Sequence, residues 1–338
     1  MDASRPRPIT LRHRETPLGD DVTTLSTLTS PAVLAFLLGV LAALLRSDVR
    51  FPDAVHTALS SYLLLAIGLK GGAGLRASDV GDVVLPVLAA VALGVVTPLL
   101  AWAALRLLTR LERVDRAAVA AHYGSTSLVT FTAAVALLEE QAEPYEPYAA
   151  TLLAVLEVPG ILIGLLLAGS VAGAAGAGRG EAVREILTGR SIMLLVGGLA
   201  IGAVAQPASY DTIAPLFVGL FPGILVLFLL DLGVLAGRRL RDVPAAGPGL
   251  FVAALAIPLV NGTLGVLVGT AVGLSVGGAA LLGVLTASAS YIAAPAAVRL
   301  ALPQANPAYY LTTSLGVTFP FNLVVGIPLF VALARALG

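Results

Sequence analysis

Residues 122–135 read HYGSTSLVTFTAAV, a cluster of His, Tyr, Gly and hydroxyl side chains flanked on both sides by apolar sequence. The apolar stretch around it, roughly 116–138, is long enough to belong to a membrane-spanning helix. A polar cluster at membrane depth is costly unless it faces protein, water or a ligand. The reading of this cluster therefore decides both the fold and the place of a site.

The 338-residue chain is 58% hydrophobic and only 12% charged, with a mean hydropathy of +0.95. Soluble domains carry about a quarter charged residues. The apolar residues fall in runs of about twenty separated by short polar loops, the pattern of a multi-span α-helical membrane protein. There is no cysteine, which excludes disulfides and thiolate metal sites. The formal net charge of zero gives no basis for nucleic-acid binding. Residues 1–29 lack an apolar core and read as a polar tail rather than a signal peptide.

Ten candidate spans follow: 31–45, 57–75, 83–107, 116–138, 148–170, 191–206, 214–236, 249–273, 277–299 and 309–335. Arginines concentrate in alternate loops, at Arg46, Arg50, Arg106, Arg110, Arg113, Arg116, Arg179, Arg184, Arg190, Arg238, Arg239, Arg241 and Arg299. The intervening loops EEQAEPYEPY (139–148), QPASYDTIAP (206–215) and VGLSVGG (272–278) have none. The positive-inside rule puts the Arg-rich loops in the cytoplasm and both termini outside. The tail dissents with Arg5, Arg7, Arg12 and Arg14, but these are offset by Asp2, Glu15, Asp20 and Asp21.

The two halves resemble each other. GSTSLVTFTAAV (124–135) aligns with ASASYIAAPAAV (287–298), matching Ser125 with Ser288 and Ser127 with Ser290. In the same order, LLLAIGLKGG (63–72) meets ILVLFLLDLG (224–233), and LEVPGI (156–161) meets VTFPFN (317–322). Five spans per copy is an odd number, so the second copy enters the membrane from the opposite side, as in the inverted repeats of secondary transporters. Spans four and nine carry the polar clusters. If each unwinds there, two half-helix N-termini meet inside the membrane, each with free N–H groups and about half a positive charge. Ser125, Thr126 and Ser127 with Ser288, Ala289 and Ser290 are thus the candidate site for a small oxyanion. The competing reading is that these hydroxyls cap kinks and pack helices.

Glu157 stands inside an apolar run beside Pro159, nine residues beyond Tyr148, hence ~13 Å deep at 1.5 Å per residue. With Asn322, Asn261 and Thr263 it makes a candidate set of oxygen ligands for Na⁺. Lys70 and Asp231 occupy aligned positions at opposite depths, which argues against a salt bridge between them. Both are gate candidates, and Lys70 is equally read as a snorkelling side chain. His122 lacks a carboxylate chain for proton relay, and the acidic loop at Glu139, Glu140, Glu143 and Glu146 reads as solvated.

SPAVLAFLLGVLAALLRSD (30–48), YLLLAIGLKGG (62–72), HYGSTSLVTF (122–131), FLLDLG (228–233) and TASASYIAAPAA (286–297) resemble the SbtA-type sodium-dependent bicarbonate transporters. The resemblance implies ten spans, with a gate domain of spans 1, 2, 6 and 7 and a core domain of spans 3–5 and 8–10. It further implies Na⁺/bicarbonate symport, a homotrimer and a PII-like regulatory partner at the cytoplasmic face.

The expectation is therefore an all-α polytopic protein of the bacterial inner membrane, without cofactor or enzymatic activity. A tail (1–29) precedes a five-helix repeat (30–170), a cytoplasmic linker (171–190) and a second five-helix repeat (191–338), with helices 4 and 9 discontinuous. Na⁺ is the coupling ion and bicarbonate the cargo. The alternative transport readings on the same inverted-repeat fold are a sodium-coupled carrier of another small anion and a cation/proton antiporter, which would want titratable carboxylates at the breaks that both Ser clusters lack. A membrane enzyme or binding protein is a third reading, with no catalytic constellation to support it.

Overall fold

The computed structural model describes residues 30–168, 184, 187–242, 244 and 247–338. The tail at 1–29 and most of the linker expected at 171–190 lie outside these residues. Among the described residues the chain is helical throughout and holds no strand. The helices are α1 (Pro31–Leu44), α2 (Asp53–Arg76), α3 (Val80–Leu108), α4 (Arg113–Gly124), α5 (Leu128–Glu140) and α6 (Ala149–Leu167). They continue as α7 (Arg190–Val204), α8 (Pro207–Leu240), α9 (Pro248–Ala271), α10 (Val276–Ala287), α11 (Ala293–Ala301) and α12 (Pro307–Leu337).

Six of these, α2, α3, α6, α8, α9 and α12, are long and apolar enough to cross a membrane. Three apolar helices are shorter, α1, α7 and α10. Every apolar run read from the sequence falls on a helix or, at 116–138 and 277–299, on a pair of helices in line. Prolines within α3 (Pro86 and Pro98), α6 (Pro159) and α9 (Pro258) are accommodated by the packing. α8 and α12 contain π-helical turns at Pro215–Gly219, Thr312–Thr318 and Asn322–Gly326. Leu34, Leu38, Leu41, Leu88 and Val260 point outward, as lipid-facing side chains do.

α2 packs most extensively on α7, and α1 on α8. Glycine lets these backbones touch: a Cβ on Gly68 would lie 2.5 Å from the Leu195 carbonyl oxygen, and one on Gly39 2.2 Å from that of Leu230. A second group joins α3, α4, α6, α9, α10 and α12. The helix ends form two faces. On one, Arg241 donates to the carbonyl of Leu44 (3.2 Å), Arg113 to that of Leu167 (3.0 Å), and Asp115 accepts the Asn306 N–H (2.7 Å). This face carries most of the arginines. On the other, Arg76 donates to the carbonyl of Ala205, Tyr148 to that of Asp82 (2.9 Å), and Arg335 to Glu143 (2.9 Å).

The acidic loop is more constrained than its composition predicts. Glu139 pairs with Lys70, Glu143 with Arg335, and Glu146 accepts the Ser275 N–H at the start of α10 (2.6 Å). Their partners lie far away in sequence, so only folding could reveal them.

α6 crosses the end of α4 at glycines on both sides. A Cβ on Gly160 would lie 1.5 Å from the Gly124 carbonyl oxygen. Alanine's better helix propensity is worth about 0.5–1 kcal/mol, whereas overpacking costs about 1–3 kcal/mol. The clash is with backbone and no rotamer relieves it, so the cost prevails. Gly160→Ala is expected to lower the Tm of the solubilised protein by several degrees. Gly81→Ala, which meets nothing within 4 Å, should not; a thermal-shift measurement on the two variants compares them.

Candidate anion and cation site at two helix breaks

α4 stops at Gly124 and the chain runs extended through Ser125 (φ −109°, ψ 151°) to Ser127 (φ −103°, ψ 110°) before α5 begins. Ser127 caps α5, its Oγ accepting the Thr130 N–H at 3.2 Å. α10 stops at Ala287, Ser288 is extended (φ −78°, ψ 162°), and α11 resumes at Ala293. Ser290 Oγ accepts the Ala294 N–H at 3.2 Å, so it serves α11 as Ser127 serves α5.

The breaks bind each other. The Ser127 N–H donates to Ser288 Oγ, and the Ser290 N–H donates to the His122 carbonyl, each at 2.8 Å. Ser288 Oγ donates in turn to the Leu285 carbonyl at 2.7 Å. Groups that interruption of a helix leaves unpaired are thus satisfied by the other interrupted helix. Both breaks are buried: Ser125, Thr126, Ser127, Ser288, Ala289 and Ser290 are each at most 5% exposed.

Beside them lies a small cavity, of about 10 Å³, lined by Thr126, Ser127, Glu157, Ser191, Ser290 and Tyr291 together with Leu64, Leu128 and Ile292. Glu157, on α6, is 6% exposed and makes no hydrogen bond or ion pair among the described residues. Tyr291 OH accepts from Ser127 Oγ at 3.2 Å. The cavity therefore gathers hydroxyls and one carboxylate beside two helix N-termini, group types that suit a small anion and a hard monocation respectively.

The other expected ligands sit apart from that cavity. Asn322 Nδ2 donates to the Ala287 carbonyl at 2.9 Å, capping the end of α10, while its Oδ1 is buried without a partner. Asn261 Nδ2 reaches the Thr97 carbonyl at 3.5 Å and its Oδ1 is likewise unpaired. Ser125 Oγ is a third such oxygen. Buried acceptors without partners are rare, and each invites an ion or a water. Thr263 is half-buried and lines no cavity with the others.

Lys70 and Asp231 do not meet. Lys70 pairs with Glu139 and donates to Tyr145 OH at 3.0 Å, joining α2 to the end of α5. Asp231 bonds His56 Nδ1 at 2.6 Å, at the other end of α2. Sequence reasoning missed Ser191, Tyr291 and the Tyr123 OH–Thr318 Oγ1 bond of 2.6 Å.

A model of the Na⁺-dependent bicarbonate transporter superfamily matches residues 31–335. No curated protein matches the chain.

Ser288→Ala removes the acceptor of a buried backbone N–H. Leaving such a donor unpaired costs about 1–3 kcal/mol, so its Tm should fall, whereas Thr263→Ala should leave Tm unchanged. Thermal unfolding in detergent decides between them.

Proposed function

The chain belongs to the Na⁺-dependent bicarbonate transporter superfamily, and on that footing we propose that it is a symporter carrying bicarbonate inward with Na⁺. The observation that carries the reading is the pair of breaks that bind each other beside Glu157. Bicarbonate would lie against the N-termini of α5 and α11, held by the Ser127 and Ser290 hydroxyls and by backbone N–H groups near Ser125, Thr126, Ser288 and Ala289. Na⁺ would take Glu157 at this cavity, while the unpaired oxygens of Asn322 and Asn261, apart from it, would serve a further cation position, with Thr263 the weakest member of the set. A bound cation offsets the anion's charge where the dielectric is low, and this mutual dependence is the physical basis of coupling.

The reading includes ten spans: α1, α2, α3, α4 with α5, and α6, then α7, α8, α9, α10 with α11, and α12. The packing supports an inverted repeat over 30–170 and 191–338. Exchanging the halves turns the α2–α7 contact into α8–α1, α3–α6 into α9–α12, and α4–α6 into α10–α12. The contact of α3 with α9 maps on itself. α1, α2, α7 and α8 would form the gate and the remaining helices the core, which moves against it. Lys70 with Glu139 bridges gate and core on the outer face, and Asp231 with His56 stays within the gate near the inner face. The Arg-rich face is then cytoplasmic, the membrane is the bacterial inner membrane and both termini lie outside. A homotrimer and a cytoplasmic PII-like partner complete the family reading.

Radiolabelled bicarbonate uptake into proteoliposomes, with inward Na⁺ and then with K⁺ in its place, tests the proposal. Uptake is expected only with Na⁺; sodium-independent or absent uptake by folded protein overturns it. Glu157→Gln should raise the Na⁺ half-saturation about tenfold, the equivalent of ~1.4 kcal/mol. Ser127→Ala and Ser290→Ala should each raise the bicarbonate KM by about tenfold, the scale of one hydrogen bond to a charged group. Unchanged kinetics in all three would remove the site from this cavity.

A further inference from the structure

A second cavity adjoins the one at the breaks. Ser191 and Ile292, which line the first, also line this larger one, of about 240 Å³. One wall of this second cavity is the first turn of α7, with Gly189, Arg190 and Ile192; the other is α11, with Ala293, Ala296 and Ala297. α7 begins on the Arg-rich face, so the two adjoining cavities lie between the breaks and that face.

Three features of the first turn of α7 are unexplained by packing. Among the described residues no side chain caps the helix, whose first residues line the second cavity. Ser191 is 7% exposed, borders both cavities, and makes no side-chain hydrogen bond among the described residues. Arg190 is exposed at the mouth and forms no ion pair among the described residues. The facing wall is Ile and Ala, which offer Ser191 nothing. The charge lining the outer cavity is that of Arg190 alone, and Glu157 lies only at the inner end.

We propose that the first turn of α7 is a transit site for a small oxyanion, one step cytoplasmic of the helix breaks. The Ser191 hydroxyl and the uncapped N–H groups receive the anion as it leaves Ser127 and Ser290, and Arg190 holds it at the mouth. The low wall of Ala293, Ala296 and Ala297 leaves width for the anion, and Ile292 marks the boundary between the two positions. The transit site rests on the reading of this chain as an anion carrier, and it gives the otherwise separate α7 a direct part in release.

The natural absence of cysteine makes the full chain suitable for a single-cysteine test. Ser191→Cys and, on the opposite wall, Ala296→Cys would be treated in inside-out and right-side-out vesicles with an anionic sulfonate and a cationic trimethylammonium thiosulfonate reagent. Both cysteines are expected to react from the cytoplasmic side. The anionic-to-cationic rate ratio should fall about tenfold when Arg190→Gln is added, the scale at which one charge in a cleft steers small ions, and Arg190→Lys should restore it. Labelling only from the other side, no labelling at either cysteine in folded protein, or a ratio indifferent to Arg190 would overturn the proposal. A shifted ratio in protein that shows no Na⁺-driven bicarbonate uptake would keep the transit site and discard bicarbonate as cargo. Uptake with an unshifted ratio would discard the transit site alone.

Discussion

The structure depends on one constraint: a helix interrupted in hydrocarbon exposes backbone N–H and carbonyl groups that lipid cannot satisfy. Two interruptions solve the problem jointly. The Ser127 N–H finds Ser288 Oγ and the Ser290 N–H finds the His122 carbonyl. Either break alone would leave buried donors and acceptors open, at a cost comparable to a sizeable fraction of a protein's stability. The pairing also sets the distance between the N-termini of α5 and α11, so the requirement that makes the breaks tolerable is the one that shapes the site.

Close approach is the second condition. α6 passes the end of α4 where Gly160 faces Gly124, and α9 passes α10 where Gly265 faces Gly283. Bulk at either crossing would push a supporting helix away from its break. The longer polar residues act at the ends instead. Arg76, Arg241 and Arg113 each donate to terminal carbonyls of a neighbouring helix, matching cationic heads to the negative ends of helix dipoles. Helices are thus joined at their tips and kept close by small residues along their length.

Glu157 is the one charged side chain lining the cavity at the breaks. Its neighbours in the cavity are hydroxyls and apolar side chains, with no basic residue among them. In the proposed function an incoming monocation would stabilise a carboxylate so placed, and the anion would be held by N–H groups and hydroxyls of the two breaks. On the proposed reading the cation offsets the charge that carboxylate and anion would otherwise place together, which would make the binding of each favour the other. Ser191 extends this surface from α7, outside the helices that carry the breaks.

How much was legible in the chain follows from how local each signal is. Apolar runs of about twenty residues, the arginine alternation and the hydroxyl clusters at 125–127 and 288–290 are local in sequence, and each marked a helix, a face or a break. Glu157 stood out because a carboxylate in an apolar run is costly anywhere along it. The partner of each break, the Lys70–Glu139 and His56–Asp231 pairs, the tethering of the acidic loop and the position of Ser191 are contacts between residues remote in sequence. No spacing rule encodes these, because many pairings satisfy the same hydropathy pattern. The sequence by itself thus determined that the chain is helical, lipid-facing and broken at two polar clusters, since solvent dictates those features residue by residue. Tertiary structure alone decided which groups meet at the breaks, because that depends on how small residues let particular helices approach.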